Sequence, residues 1–111
     1  VRLLRRKDVK SRLDFQGIAR AALPHLEVLC ARWLPGGRRN GREWCCGSLA
    51  GEAGDSCRVN LITGRWCDFA TGEKGGDAIS LAAAIHQISQ LEAARRLAGM
   101  LGLSQEAAPR G

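Results

Sequence analysis

Apolar residues in the first third of the chain recur at helical spacing. Leu26, Leu29, Cys30, Trp33 and Leu34 fall at i, i+3, i+4, i+7 and i+8, the pattern of one buried helix face. Pro24 suits the first turn of this helix, and Pro35-Gly36-Gly37 ends it. Upstream, Asp8 to Ala22 reads as an earlier helical stretch. Its stripe of Val9, Leu13, Phe15, Ile18, Ala19 and Ala22 is looser, and Gly17 weakens it. The period then changes. Arg42–Cys46, Cys57–Ile62 and Arg65–Ala70 are strand candidates, with Thr63-Gly64 as a turn between the last two. Alternation puts Cys57, Val59 and Leu61 on one face and Arg58, Asn60 and Ile62 on the other. Gly36–Arg42 reads as a basic turn around Asn40-Gly41, residues 47–56 as a loop, and Thr71–Gly76 as a second glycine-rich turn. Asp77 is the expected N-cap of a helix from Ala78 to about Gln87 that is apolar nearly all round. Ser89-Gln90-Leu91-Glu92 has capping-box spacing and opens a last helix to about Leu101, with Leu91, Ala94, Leu97, Ala98 and Leu101 as its stripe.

This order predicts one α+β domain: a small antiparallel sheet of about three strands flanked by helices before and after it. The 111 residues suffice for one domain with its own core. The expected division is a basic tail at 1–7, the folded domain at 8–103 and a flexible tail at 104–111. No apolar run approaches the roughly 20 residues of a membrane helix. No long apolar segment follows the basic start, so the expected compartment is the cytoplasm.

Charge sharpens this picture. The net charge is +6, yet residues 1–42 carry 11 basic and 3 acidic side chains while residues 43–111 carry 6 and 8. A basic segment ahead of a near-neutral body suggests a polyanionic partner. Arg38, Arg39, Arg42, Arg58, Arg65 and Lys74 fall on the turns and strands of the expected sheet, with Trp44 and Trp66 interleaved. Cations with flat rings between them suit single-stranded nucleic acid, because charges neutralise phosphates and rings stack on bases. Trp33 belongs to a helical stripe and reads as core; Trp44 and Trp66 read equally well as core or as stacking platforms. No carboxylate cluster for metal-assisted phosphoryl transfer is visible, since Asp55, Asp68 and Asp77 are scattered. Gly72–Asp77 resembles an anion-binding turn, but an Asp at the N-cap repels phosphate, which favours a turn plus a helix cap.

The ordered set Leu34–Trp44, Val59–Trp66, Asp68–Asp77 and Glu92–Leu103 resembles the N-terminal zinc-ribbon domain of bacterial DNA primases. It is closer to the divergent version that heads primases and primase-helicases of phages, plasmids and integrated elements. The zinc-bearing family uses a Cys-x2-His pair and a Cys-x2-Cys pair. Here Ser48 stands three positions after Cys45, Leu49 three after Cys46, and Ala70 three after Cys67. At most two of four ligands survive. A domain without cofactor is therefore expected, held by packing of Trp, Leu and Phe where the metal would sit. The alternative is zinc through Cys45 or Cys46 with Cys57 and Cys67.

The resemblance implies a non-catalytic domain that engages single-stranded DNA template and supports primer synthesis beside a primase catalytic domain or a replicative helicase. The alternatives are a protein-interaction module, in which the helices at 78–101 dock such a partner, and a structural zinc domain.

Overall fold

The computed structural model describes residues 14–103. The two expected tails, and the start of the first helix with Val9 and Leu13, lie outside the described residues. The elements run in order: helix α1 (Phe15–Ala22), a 3₁₀ turn (Leu23–His25), helix α2 (Leu26–Trp33), strands β1 (Arg38–Asn40), β2 (Glu43–Cys46), β3 (Cys57–Asn60), β4 (Trp66–Asp68) and β5 (Lys74–Gly75), then helices α3 (Ala78–His86) and α4 (Gln90–Met100). The class is α+β, as the sequence pattern predicts. The sheet has five strands rather than about three. They lie in the order β1-β2-β3-β4-β5, all neighbours antiparallel, so the sheet is a simple meander. Both additional strands are short and at the edges, formed by segments that read as turns.

Caps set the helix boundaries. Asp14 accepts a bond from the Gly17 amide and starts α1. Asp77 and Ser80 form a reciprocal capping box at α3, and Ser89 accepts from the Glu92 amide at α4. Gln87 adopts a left-handed conformation, φ 56°, where α3 stops. Asp77 is thus occupied in capping.

The helices cover one face of the sheet. The core cluster joins Ile18 and Ala22 of α1, Leu26, Leu29 and Cys30 of α2, Ile79 and Leu81 of α3, and Ala94 and Leu97 of α4 to Trp44, Val59 and Trp66 of the sheet. Cys57, Val59 and Leu61 are buried, with Arg58 and Ile62 exposed, as alternation predicts. Leu91, expected in the α4 stripe, is instead exposed, and Ala93 takes a buried position.

Each sheet tryptophan is locked in the same way. The Trp44 indole N–H donates to the Leu34 carbonyl at 3.1 Å, and the Trp66 indole N–H donates to Ser80 Oγ at 2.9 Å. Each indole nitrogen also passes over a glycine. A Cβ on Gly37 would collide with Trp44 Nε1, and one on Gly75 with Trp66 Nε1 and Ser80 Oγ. The two glycine-rich segments therefore supply bare backbone against which the rings lie.

Candidate nucleic-acid interface

The register sorts the side chains of the sheet into rows. Arg38, Cys45, Arg58, Cys67 and Lys74 form one row across all five strands. Arg39, Trp44, Val59, Trp66 and Gly75 form the next, and adjacent rows point to opposite faces. The second row carries the helix-covered core. The first row therefore lies on the other face, and its three cations stand on alternate strands. Neighbouring strands are about 4.8 Å apart, so these cations repeat on the order of every 10 Å.

Arg65 and Phe69 join this face. Arg65 lies opposite Asn60, whose amide bonds the Arg65 carbonyl at 2.7 Å. Phe69 continues the parity of Arg65 and Cys67 just past β4. Its amide donates to the Ser56 carbonyl, which ties its backbone to β3, while the ring is 67% exposed. Arg58, Arg65, Cys67, Phe69 and Lys74 line a shallow open depression of about 600 Å³. Glu43 is also on its wall.

The cations differ in how free they are. Arg38 pairs with Asp55 at 3.1 Å, and Arg58 approaches Glu43 at 3.6 Å while its Nε donates to the Asp55 carbonyl. Asp55 thus links the two arginines that flank Cys45 in the register, and Cys45 is buried although it stands outside the main core cluster. These pairs are exposed, and exposed pairs contribute about 0–1 kcal/mol, so a phosphate can replace the carboxylate at little cost. Arg65 and Lys74 make no ion pair among the described residues.

Three expectations change here. Trp44 and Trp66 are 8% and 5% exposed and turn their rings into the core, so neither offers a face to a base. Arg39 belongs to the core-side row at the sheet edge and is held by Glu27 of α2 at 2.7 Å, apart from the other cations. Phe69, expected in the packing, is the exposed ring on the basic face. The signal for it lies in the sequence: if Trp66 and Asp68 point inward, Arg65, Cys67 and Phe69 point outward. Arg42 is exposed in the tight turn between β1 and β2, next to Gly41 at φ 65°.

The four candidate zinc ligands do not converge. Cys46 and Cys57 are directly opposed in the register on the core face, while Cys45 and Cys67 flank Arg58 on the other. No group of three or more His, Cys, Asp or Glu with metal-binding geometry occurs among the described residues. Asp68, opposite Cys57, is buried and its Oδ1 accepts from the Ala70 amide at 3.0 Å. Ser48 bonds Glu52, and its carbonyl accepts from the Cys46 thiol. The segment from Cys46 to Glu52 is thereby a hydrogen-bonded loop.

Burial pushes the Cys30 thiol from an ordinary 9.0 up to about 12. Burial likewise raises Cys46 and Cys57, the latter further disfavoured as thiolate by neighbouring Cys46 and Asp68. A thiol whose pKa is raised by folding stabilises the native state fully below the unfolded pKa, and that contribution is lost as pH climbs through the folded one. The thermal unfolding midpoint is therefore expected to fall between about pH 9 and 12, and Cys30→Ala to flatten the fall. A calorimetric midpoint constant across this window would contradict the assignment.

No family model, curated protein or solved structure matches the chain.

Proposed function

We propose that this chain is a non-catalytic domain that binds single-stranded nucleic acid across the open face of its sheet. The observation that carries the proposal is the row Arg38, Arg58 and Lys74, with Arg65 and the exposed Phe69 ring beside it. Three cations at regular intervals neutralise a backbone laid across the strands, and Phe69 offers a base one stacking surface. From β3 to β5 this face is a shallow open depression, which suits an extended strand better than a duplex. Asp55, Asp68 and Asp77 do not come together as a polymerising site would need: Asp55 stands beside Arg38, Asp68 is in the interior and Asp77 caps α3.

The resemblance in Leu34–Trp44, Val59–Trp66 and Asp68–Asp77 gives this activity a setting: presentation of single-stranded DNA template in a primase or primase-helicase of a mobile element. In that setting the polymerising site lies on a neighbouring catalytic domain, and this sheet holds the template.

Binding of a labelled single-stranded oligonucleotide, measured across a salt series, tests the proposal. Four participating cations predict a slope of log K against log salt of about −3, at about 0.7 per neutralised phosphate for single strands. Arg65→Ala and Lys74→Ala should each make the slope shallower by about 0.7. Arg39→Ala, on the other row, should leave the slope unchanged. No binding at low salt, or affinity indifferent to salt, would sink the proposal.

A further inference from the structure

A second feature shares no residue with the sheet face. Helices α2, α3 and α4 enclose a groove of about 880 Å³. Its floor is apolar, formed by the buried Leu29 and Leu97 and the partly buried Trp33 and Ile85. Its edges carry two large apolar side chains in water, Val28 at 69% and Met100 at 47% exposure. Isolated exposed apolar residues are ordinary, but two that flank one apolar groove make a continuous surface that water covers poorly. Trp33 stands edge-on to His86, ring centroids 5.8 Å apart, and this pair forms one wall.

The charged side chains that line the groove are Arg32 and Arg96; His25 and His86 line it as well, and among the described residues no carboxylate does. Glu92 reaches Arg96 at 3.1 Å, but the pair is exposed and exchangeable. An occupant must therefore be apolar in the middle and acidic at the sides. Charge selects among the candidates. Residues 1–13 of this chain carry six basic side chains and one acidic, the wrong sign for this rim. A second copy docked groove to groove would bring two arginines against two.

We propose that this groove receives an amphipathic helix from a partner protein, with an apolar stripe flanked by Asp and Glu. Its anchors at i, i+3, i+4 and i+7 enter between Val28 and Met100. Arg32 and Arg96 meet carboxylates on its two sides, and this polarity fixes the partner class. The surface then joins a protein partner while the sheet face holds nucleic acid, and each can be occupied without the other.

The test uses the whole chain and two synthetic fluorescent peptides of about four helical turns. Both carry the same Leu and Met stripe; one has Glu on its flanks and the other Lys. Anisotropy titrations should show the Glu peptide binding on the order of tenfold tighter than the Lys peptide. Val28→Glu and Met100→Glu, both at exposed positions, should each weaken the Glu peptide by a similar factor with the circular dichroism unchanged. Arg32→Glu should shift the preference toward the Lys peptide. Arg58→Glu on the sheet should leave peptide affinity untouched while it weakens oligonucleotide binding, so the two sites fail or succeed separately. Equal affinity for the two peptides, or binding of neither, overturns the proposal. So does displacement of the Glu peptide by a single-stranded oligonucleotide, or a dimer of the chain that Met100→Glu dissolves.

Discussion

Phe69→Ala is expected to weaken single-stranded oligonucleotide binding by about 5- to 150-fold while leaving the fold intact. The factor follows from the loss of one base stack, worth about 1–3 kcal/mol, at about 1.4 kcal/mol per tenfold. The fold should tolerate the change because the ring is 67% exposed and the backbone bond from Phe69 to Ser56 survives it. Stacking is insensitive to ionic screening compared with phosphate contacts. The variant should therefore lose affinity by the same factor at every salt concentration, with an unchanged slope. Phe69→Trp should restore or exceed the original affinity, since the ring retains a π-face. Anisotropy titrations at two salt concentrations measure both quantities. A Phe69→Ala protein that binds as tightly as the parent would remove the ring from the interface and leave a purely electrostatic surface.

Trp66→Ala is expected to do the opposite, damaging stability first. Truncating a buried tryptophan costs about 3–5 kcal/mol. Here Ser80 Oγ also loses the indole donor, and the space over Gly75 opens. For a domain of this size each kcal/mol lowers the midpoint by about 4–8 °C, so a drop on the order of 15–30 °C is expected. Trp44→Ala should behave similarly, since its indole bonds the Leu34 carbonyl and crosses Gly37. Trp66→Phe separates the contributions: it keeps most of the packing, loses the hydrogen bond, and should cost about 1 kcal/mol. A Trp66→Ala protein with an unchanged midpoint and lost nucleic-acid binding would show that the ring works at the surface.

The contrast between these rings shows what the pattern of residues could reveal. The helices were legible because caps and stripes coincide: Asp77, Ser89 and the run from Leu26 to Leu34 each mark a boundary or a buried face. The β3–β4 hairpin was legible because one of its faces is buried and the other wet. Strand β1 lacks that contrast. All three of its residues are exposed, so its pattern carries no period, and pairing to β2 alone makes it a strand. The signal that the turn reading of Gly36–Arg42 leaves unused is Asn40-Gly41, a hairpin dipeptide that requires a strand on its earlier side. Strand β5 is two residues long, one of them the glycine under Trp66, and reads as a turn for that reason.

Alternation also failed where both faces are covered. In β2, Trp44, Cys45 and Cys46 are all buried, because the chain between β2 and β3 brings Asp55 back to Arg38 and Arg58 on either side of Cys45. In the sequence the basic residues form one group because their charge is visible and their direction is not. One step of register sends Arg39 toward Glu27 of α2 and Arg38 to the open face. The helical groove left a fainter trace. Val28 lies off the α2 stripe and Met100 off that of α4, and only the packing of the two helices brings them to one opening.

The measurement that bears most directly on the sheet as a nucleic-acid surface is an NMR titration of the isotope-labelled chain with a short single-stranded oligonucleotide. Amide shift changes are expected at Arg38, Arg58, Arg65, Cys67, Phe69 and Lys74, with Val28, Arg32 and Met100 in the groove unmoved. Shifts confined to the groove, or none at low salt, would contradict it.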